Sequence, residues 1–372
     1  MRVLMTGGGT AGHINPALAI AAKIRRECPD AEILFVGANG RMETTLVPQA
    51  GYELKTITVD GFQRKLTPKN LVKNAKAAVH AVTASVEAAR ILREFRPDLA
   101  IGTGGYVCGP VLRKAAAMGI PVLVHESNAF PGVTTKLLSK AAKTVMLPTE
   151  SARRYLPQGT HAVVTGNPLR QGFESPDRAA ARRALGVEDG PLVLSFGGSL
   201  GARPLNEAMV GVLKRSAADA RLQFVVGTGR GINYERTVKM LKDNGITPDG
   251  KRVRVLEYID NMPQYMAAAD LVVSRCGAMT LAELPAMGKP SILIPSPYVA
   301  ENHQFYNAKA LADRGAAVCI EEKDLTDERL WDTIKEITDA PDRLKVMSAA
   351  AQAAAVTDAT DRIWQVICET LR

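Results

Sequence analysis

No stretch of this chain approaches the ~18 consecutive apolar residues that a membrane-spanning helix requires. Its first residues read as a strand rather than a charged-then-apolar leader, so the expectation is a protein neither secreted nor membrane-spanning. Cysteine is sparse. Cys28, Cys108, Cys276, Cys319 and Cys368 are odd in number, scattered and never spaced C-x-x-C, which reads as small buried apolar residues in a reducing cytoplasm. There is no D-x-D, and no His or Cys spacing resembles a metal site. Arginines, backbone amides and helix dipoles would then have to meet the charge of any leaving diphosphate, and a metal-free mechanism is expected. Aromatic residues are few, 5% against 46% apolar in all, a balance typical of an α/β protein rich in Ala, Val, Ile and Leu.

At 372 residues the chain exceeds what one hydrophobic core usually serves, and two domains follow as the natural expectation. Basic residues outnumber acidic ones, 47 to 38, and the net +9 favours anionic partners without naming them. Short apolar runs alternate with helical periodicity from end to end: Val3 to Met5, Ile33 to Val36, Leu99 to Ile101, Val122 to Val124 and Thr144 to Leu147, then Val193 to Phe196, Gln223 to Val226, Val253 to Leu256, Leu271 to Val273 and Ile292 to Ile294. That alternation predicts βαβ units and parallel sheets. Gly119-Ile120-Pro121-Val122 is echoed by Gly288-Lys289-Pro290-Ser291, each a turn into a buried strand. The turn cluster Thr165-Gly166-Asn167-Pro168, after the strand-like Ala162-Val163-Val164, sets the boundary, giving domains 1–165 and 166–355. From Asp324 onward the pattern is helical, and a last segment, 356–372, is free to pack on either domain.

Two segments share one design, an apolar run, a glycine cluster and a helix start: Gly7-Gly8-Gly9-Thr10-Ala11-Gly12-His13 and Gly197-Gly198-Ser199-Leu200-Gly201-Ala202-Arg203. Free backbone N–H groups and the helix dipole make such places anion sites, so two phosphate-bearing ligands are expected. Gly7, Gly9 and Gly12 fit the dinucleotide G-x-G-x-x-G, but the strand Ile33 to Val36 ends in Gly37-Ala38-Asn39 with no carboxylate for a ribose, which argues against that cofactor.

His13, at a helix start, reads as a neutral general base or as a residue that merely bonds its own loop. Ser199 adds a hydroxyl to the second loop, with Arg203 in the next turn. Arg275 follows a buried strand and would face a phosphate; Glu283 is either a ribose ligand or an ordinary surface glutamate. His125-Glu126-Ser127-Asn128 and Asn302-His303-Gln304 are either sugar-reading clusters or plain loops. Between Phe62 and Val79, Lys65, Lys69, Lys73 and Lys76 recur at helical spacing beside Phe62, Leu66, Leu71 and Val72. This is either a helix resting on an anionic bilayer or a solvated face.

Those motifs in that order, together with Gly104-Gly105-Tyr106 and Gly166-Asn167-Pro168-Leu169-Arg170, closely resemble the MurG family from the first strand to the final helix. The resemblance implies a GT-B fold: two Rossmann-like, doubly wound parallel-sheet domains facing a central cleft, the last helix crossing back to the first domain. It implies an inverting transfer of N-acetylglucosamine from UDP-GlcNAc to the muramyl 4-hydroxyl of undecaprenyl-diphospho-MurNAc-pentapeptide (lipid I), giving lipid II for peptidoglycan, with no cofactor and no metal.

By position, the resemblance puts Thr10, Ala11, Gly12 and Asn128 on the donor from the first domain. Arg170, Ser199, Ile259, Ala278, Met279, Thr280, Leu281, Ala282, Glu283 and Gln304 would contact it from the second. Ile259 would meet the uracil through its backbone, Glu283 the ribose and Gln304 the sugar, with Ser199 and Arg275 facing the diphosphate. His13 is the base, Glu126 and Tyr106 being alternatives. Ala11 stands where glycine is common, Cys108 where serine is usual, and His303 where glutamine occurs. The implied partners are the donor, lipid I, the anionic cytoplasmic face of the cell membrane, where the protein would be peripheral, and cell-wall and division proteins, but no nucleic acid. A UDP-GlcNAc 2-epimerase on the same scaffold is the alternative enzyme, and a non-catalytic membrane-docking subunit the alternative from another class.

Overall fold

Val3, Leu4 and Met5 are all apolar because the strand that carries them is covered on both faces: Leu4 enters one hydrophobic cluster, Val3 and Met5 another. In the computed structural model this strand, β1 (Arg2–Thr6), lies in the interior of a seven-stranded parallel sheet. The structure describes residues 1–60, 68–170, 172–173, 177–299 and 302–372, and only the backbone of 68–79, 81 and 82. Within it the chain divides into unit 1, Met1–Arg170 with Asp358–Arg372, and unit 2, Gln171–Thr357.

In unit 1, β1 is joined by β2 (Glu32–Ala38), β3 (Glu53–Ile57), β4 (Leu99–Gly102), β5 (Val122–His125), β6 (Thr144–Leu147) and β7 (Ala162–Val164), in the order β3-β2-β1-β4-β5-β6-β7. The helices are α1 (Ala11–Glu27), α2 (Glu43–Gln49), α3 (Pro68–Phe95), α4 (Cys108–Ala117) and α5 (Val133–Leu138). Residues of α3, α4 and α5 (Leu92, Val111, Leu138) cover the face that bears Leu4. Residues of α1, such as Ile14 and Ile20, cover the other, joined by Ile363, Val366 and Ile367 near the C-terminus.

Unit 2 repeats the winding: β8 (Leu192–Phe196), β9 (Gln223–Gly227), β10 (Val253–Leu256), β11 (Leu271–Arg275), β12 (Ser291–Ile294) and β13 (Ala317–Cys319) form a parallel sheet ordered β10-β9-β8-β11-β12-β13. Its helices are α6 (Arg178–Leu185), α7 (Arg203–Arg215), α8 (Ile232–Asp243), α9 (Met262–Ala268), α10 (Thr280–Ala286), α11 (His303–Ala312), α12 (Asp327–Thr338) and α13 (Pro341–Ala353). The final helix, α14 (Ala359–Leu371), returns to unit 1. The two doubly wound parallel sheets are the α/β architecture expected from the alternation of apolar runs. Two strands escaped that reading: β3, where polar residues alternate with apolar ones at a sheet edge, and the three-residue β13.

The winding reverses between β1 and β4 in unit 1 and between β8 and β11 in unit 2, and at such switch points the loops after the strands part to leave a crevice. Both glycine clusters lie there. The contacts place the division between units after Arg170, beyond the Thr165 turn. The ends of β5 and β6 hold the intervening segment: Gly166 N–H donates to Leu147 O at 3.1 Å, and Asn167 Nδ2 donates to Ser127 O at 3.0 Å.

Candidate active site

The first glycine loop and the loop after β4 lie backbone against backbone. Gly8 N–H donates to Gly104 O at 3.3 Å, and a Cβ on Gly104, whose φ is +113°, would sit 2.5 Å from His13 Nδ1. Glycine at 104 therefore lets the imidazole lie flat on the loop, in a backbone conformation that other residues avoid. His13 Nδ1 lies 3.2 Å from Thr103 O, an acceptor only, so this nitrogen carries the proton and Nε2 is left with its lone pair. Burial lowers the His13 pKa below the ordinary histidine value; the charges of Glu126 and Glu43 and the Thr103 carbonyl pull the other way. The ring is thus held neutral, with Nε2 the nitrogen able to accept a proton. Tyr106 stands exposed on the same loop. Cys108 hydrogen-bonds through Sγ to Gly104 O at 3.0 Å, and burial pushes its thiol up to about 11; a serine there would make the same bond.

Glu126 is buried, and its carboxylate is filled by the chain around it. Oε1 accepts from Asn128 N and Nδ2 at 2.9 and 3.0 Å, and Oε2 accepts from Gly132 N at 2.8 Å and Thr135 Oγ1 at 2.7 Å. With four donors on two oxygens it has little capacity to take a proton from substrate, which removes it as the alternative base. It fixes the Asn128 side chain through its NH2. His125 also departs from the sugar-reading expectation: it is fully buried, and its Nε2 pairs with Gly166 O at 3.2 Å. Thr10 and Gly12 are exposed, and Ala11 is half-buried, at the start of α1. Arg170, expected in the second domain, is the last residue of unit 1 before the chain crosses over.

In unit 2 the turn after β8 is set by Gly201 N–H donating to Gly198 O at 2.9 Å, and Ser199, half-buried, lies inside it. Gly201 is there for packing: a Cβ would lie 1.9 Å from Thr228 O. Arg203 pairs with Glu207 at 2.6 Å along α7. The Ile259 side chain is buried over Gly227, where a Cβ would meet its Cδ1 at 2.8 Å, so what this residue can offer a ligand is its peptide.

Ala278, Thr280, Leu281 and Ala282 are half-buried where the chain enters α10, whereas Met279 and Glu283 are buried. At 3% exposure Glu283 is no surface glutamate. Gln304 Oε1 accepts from Ser296 N at 2.9 Å, which orients the side chain so that its NH2 is the free end. His303 is half-buried at the first position of α11.

Arg275 corrects an expectation. Its guanidinium is bonded to the Glu322 carboxylate and donates to Ile294 O at 3.2 Å and Pro295 O at 3.1 Å. Both partners of this ion pair are largely buried, and Arg275 ties the end of β11 to the end of β12 and to the segment after β13. An arginine spent in this way does not face a phosphate.

Sequence reasoning missed Thr103 and Glu43, whose contacts to the first glycine loop span 90 and 34 residues, and no local pattern announces them. The basic stretch falls on residues 62–67, outside the described ones, and on 68–79, whose side chains are also outside them. No helix of the described residues is long and apolar enough to cross a membrane.

The chain matches the glycosyltransferase family 28 N-terminal domain over residues 3–147 and the glycosyltransferase family 28 C-terminal domain over residues 192–363. A relative from Acetivibrio thermocellus, named UDP-N-acetylglucosamine–N-acetylmuramyl-(pentapeptide) pyrophosphoryl-undecaprenol N-acetylglucosamine transferase, is 44% identical over 100% of this chain and 99% of its own. Among solved structures, Acinetobacter baumannii MurG matches with a TM-score of 0.73 and 29% identity over 99% of each chain. A UDP-GlcNAc 2-epimerase from Neisseria meningitidis matches with a TM-score of 0.68 at 14% identity, over 99% of this chain and 100% of its own, a likeness of fold alone. With both halves matched and the identity carried through the full length, the chain belongs to the MurG family within glycosyltransferase family 28.

Proposed function

We propose that this protein transfers N-acetylglucosamine from UDP-GlcNAc to the 4-hydroxyl of N-acetylmuramic acid in undecaprenyl-diphospho-MurNAc-pentapeptide, forming lipid II with inversion at the sugar. The observation that carries the chemistry is the His13 ring, with Nδ1 committed to Thr103 O and Nε2 open, in a chain 44% identical to the Acetivibrio thermocellus transferase. His13 Nε2 takes the proton of the acceptor hydroxyl as its oxygen attacks the anomeric carbon. The bond from that carbon to the UDP oxygen breaks in the same displacement, and UDP leaves.

On this reading Ser199 and the amides of its loop meet the diphosphate, the Ile259 peptide reads the uracil, Glu283 holds the ribose hydroxyls, and the Gln304 NH2 contacts the sugar. Thr10, Ala11, Gly12, Asn128, Arg170 and the stretch 278–282 complete the donor contacts. Arg275 stays out of the set and braces the loop beside it. The mechanism calls for no metal, since amides, hydroxyls and helix starts carry the leaving-group charge.

His13→Ala should lower turnover by about a hundredfold or more, the range lost with a general base, while UDP-GlcNAc affinity measured by calorimetry stays nearly intact. A large loss of binding would remove the base assignment.

The acceptor is a lipid, so the protein works at the anionic cytoplasmic face of the membrane as a peripheral protein. Two features of unit 1 support this beyond the net charge of +9. Leu137 on α5 is 69% exposed and Val133, one turn earlier, 62%. Lys136 and Lys140 flank them, and exposed apolar residues ringed by lysines suit a headgroup surface.

A further inference from the structure

A glycine loop between a parallel strand and a helix holds anions through its amides, and in unit 1 one of those amides already serves an anion of the protein's own. Glu43, the first residue of α2, is 0% exposed. Its Oε2 accepts the N–H of Gly9 at 2.9 Å, and its Oε1 accepts the N–H of Ala38, the last residue of β2, at 2.9 Å. The side chain is wedged between backbone segments: a Cβ on Gly8 would lie 2.1 Å from Oε1, and one on Gly37 2.6 Å from Cγ. Glycines 8 and 37 are thus the room this carboxylate occupies. Fixing a carboxylate in a buried place is costly unless charge-assisted bonds hold it, and here both bonds reach backbone whose position matters to the loop.

We infer that Glu43 is a positioning residue for the transfer reaction: its carboxylate ties the β1–α1 turn to the end of β2, so fixing the segment Thr10 to His13. The inference rests on the transferase reading with His13 as base. It also separates the two glycine loops, because the first one holds an internal carboxylate and is not an empty phosphate cradle.

The groups around the His13 ring are Glu43 from the start of α2, Glu126 from the loop after β5, the Thr103 carbonyl and Gly104 backbone after β4, and the neutral Cys108 thiol bonded to Gly104 O. Both carboxylates favour the imidazolium, against the burial that disfavours it. Removing the Glu43 charge should therefore lower the proton affinity of His13, whereas a role in packing alone would leave it unchanged.

The test compares wild type, Glu43→Gln and Glu43→Asp for kcat and for the pH profile of kcat/KM, using UDP release with a soluble short-chain lipid I analogue, beside thermal melting of each protein. Glu43→Gln keeps the shape but sets an NH2 against an N–H and loses the charge. We expect its kcat to fall about tenfold or more, as small misplacements of reacting groups do, and its acid limb to move to lower pH. Glu43→Asp keeps the charge but draws it back by one methylene, so kcat should fall with the acid limb unmoved. Wild-type kcat and an unshifted limb in Glu43→Gln would overturn the inference, and so would losses in both variants that only track the fraction unfolded. If Glu43→Gln does not fold, Glu43→Asp decides by its kcat, reduced in support or unchanged in refutation. Failure of wild type to release UDP with acceptor would instead sink the transferase reading.

Discussion

His13 owes its neutrality to its surroundings: the ring lies on Gly104, its Nδ1 proton goes to a carbonyl, and burial makes the imidazolium costly despite two nearby carboxylates. The sign of the pH effect follows. A base must be unprotonated, and with its pKa depressed below the ordinary value of about 6.5, His13 is in its working form at neutral pH. The acid limb of the rate should therefore have its midpoint below the ordinary histidine value of about 6.5; a kcat/KM profile whose acid limb lies above about pH 7 would contradict the tautomer and burial described for His13. At this scale the sequence was legible wherever position depends on local spacing. His13 and Ser199 were placed at their turns because strand, glycines and helix start are contiguous. Glu43 and Thr103 were not, because their contacts join separate strands, and Arg275 was misjudged because Glu322, 47 residues on, claims its guanidinium.

Among the elements, the central strands declare themselves by unbroken apolar runs, since both faces of a parallel sheet are covered. The edge strand β3, Glu-Leu-Lys-Thr-Ile, carries polar residues that such a reading assigns to a loop. The residue pattern left the last helix free to pack on either domain, because an amphipathic helix does not say which core it covers; only the family resemblance put it on the first. In the structure α14 sets Ile363, Val366 and Ile367 into the cluster that α1 shares with β1, while Lys23 of α1 pairs with Asp361 at 2.5 Å and Lys143 donates to Thr370 O at 3.0 Å. It is thus part of the core of unit 1 rather than a tail. Ile367→Ala should destabilise unit 1 by about 2–4 kcal/mol, the usual range for emptying a buried isoleucine site. Denaturant unfolding followed in unit 1 would detect this, and a loss under about 0.5 kcal/mol would show that α14 does not seal the core.

For the whole molecule, a duplicated winding has been put to two uses. Unit 1 carries a neutral imidazole on a loop that an internal carboxylate holds, and unit 2 carries an open turn with a hydroxyl, a buried glutamate and an oriented glutamine amide. Exposed Leu137 and Val133 among lysines would bring unit 1 to an anionic surface. Leu137→Glu should weaken sedimentation with vesicles of anionic phospholipid severalfold and leave solution binding of UDP-GlcNAc unchanged; equal sedimentation of both proteins would remove α5 from the docking face.

The central claim is acceptor-dependent transfer, and it is tested most directly by UDP release from UDP-GlcNAc in EDTA, with and without a short-chain lipid I analogue, the product being weighed by mass spectrometry. The account predicts release only with the acceptor, undiminished by the chelator, and a product heavier by one N-acetylhexosamine. Release without acceptor, or none in either case, would contradict it.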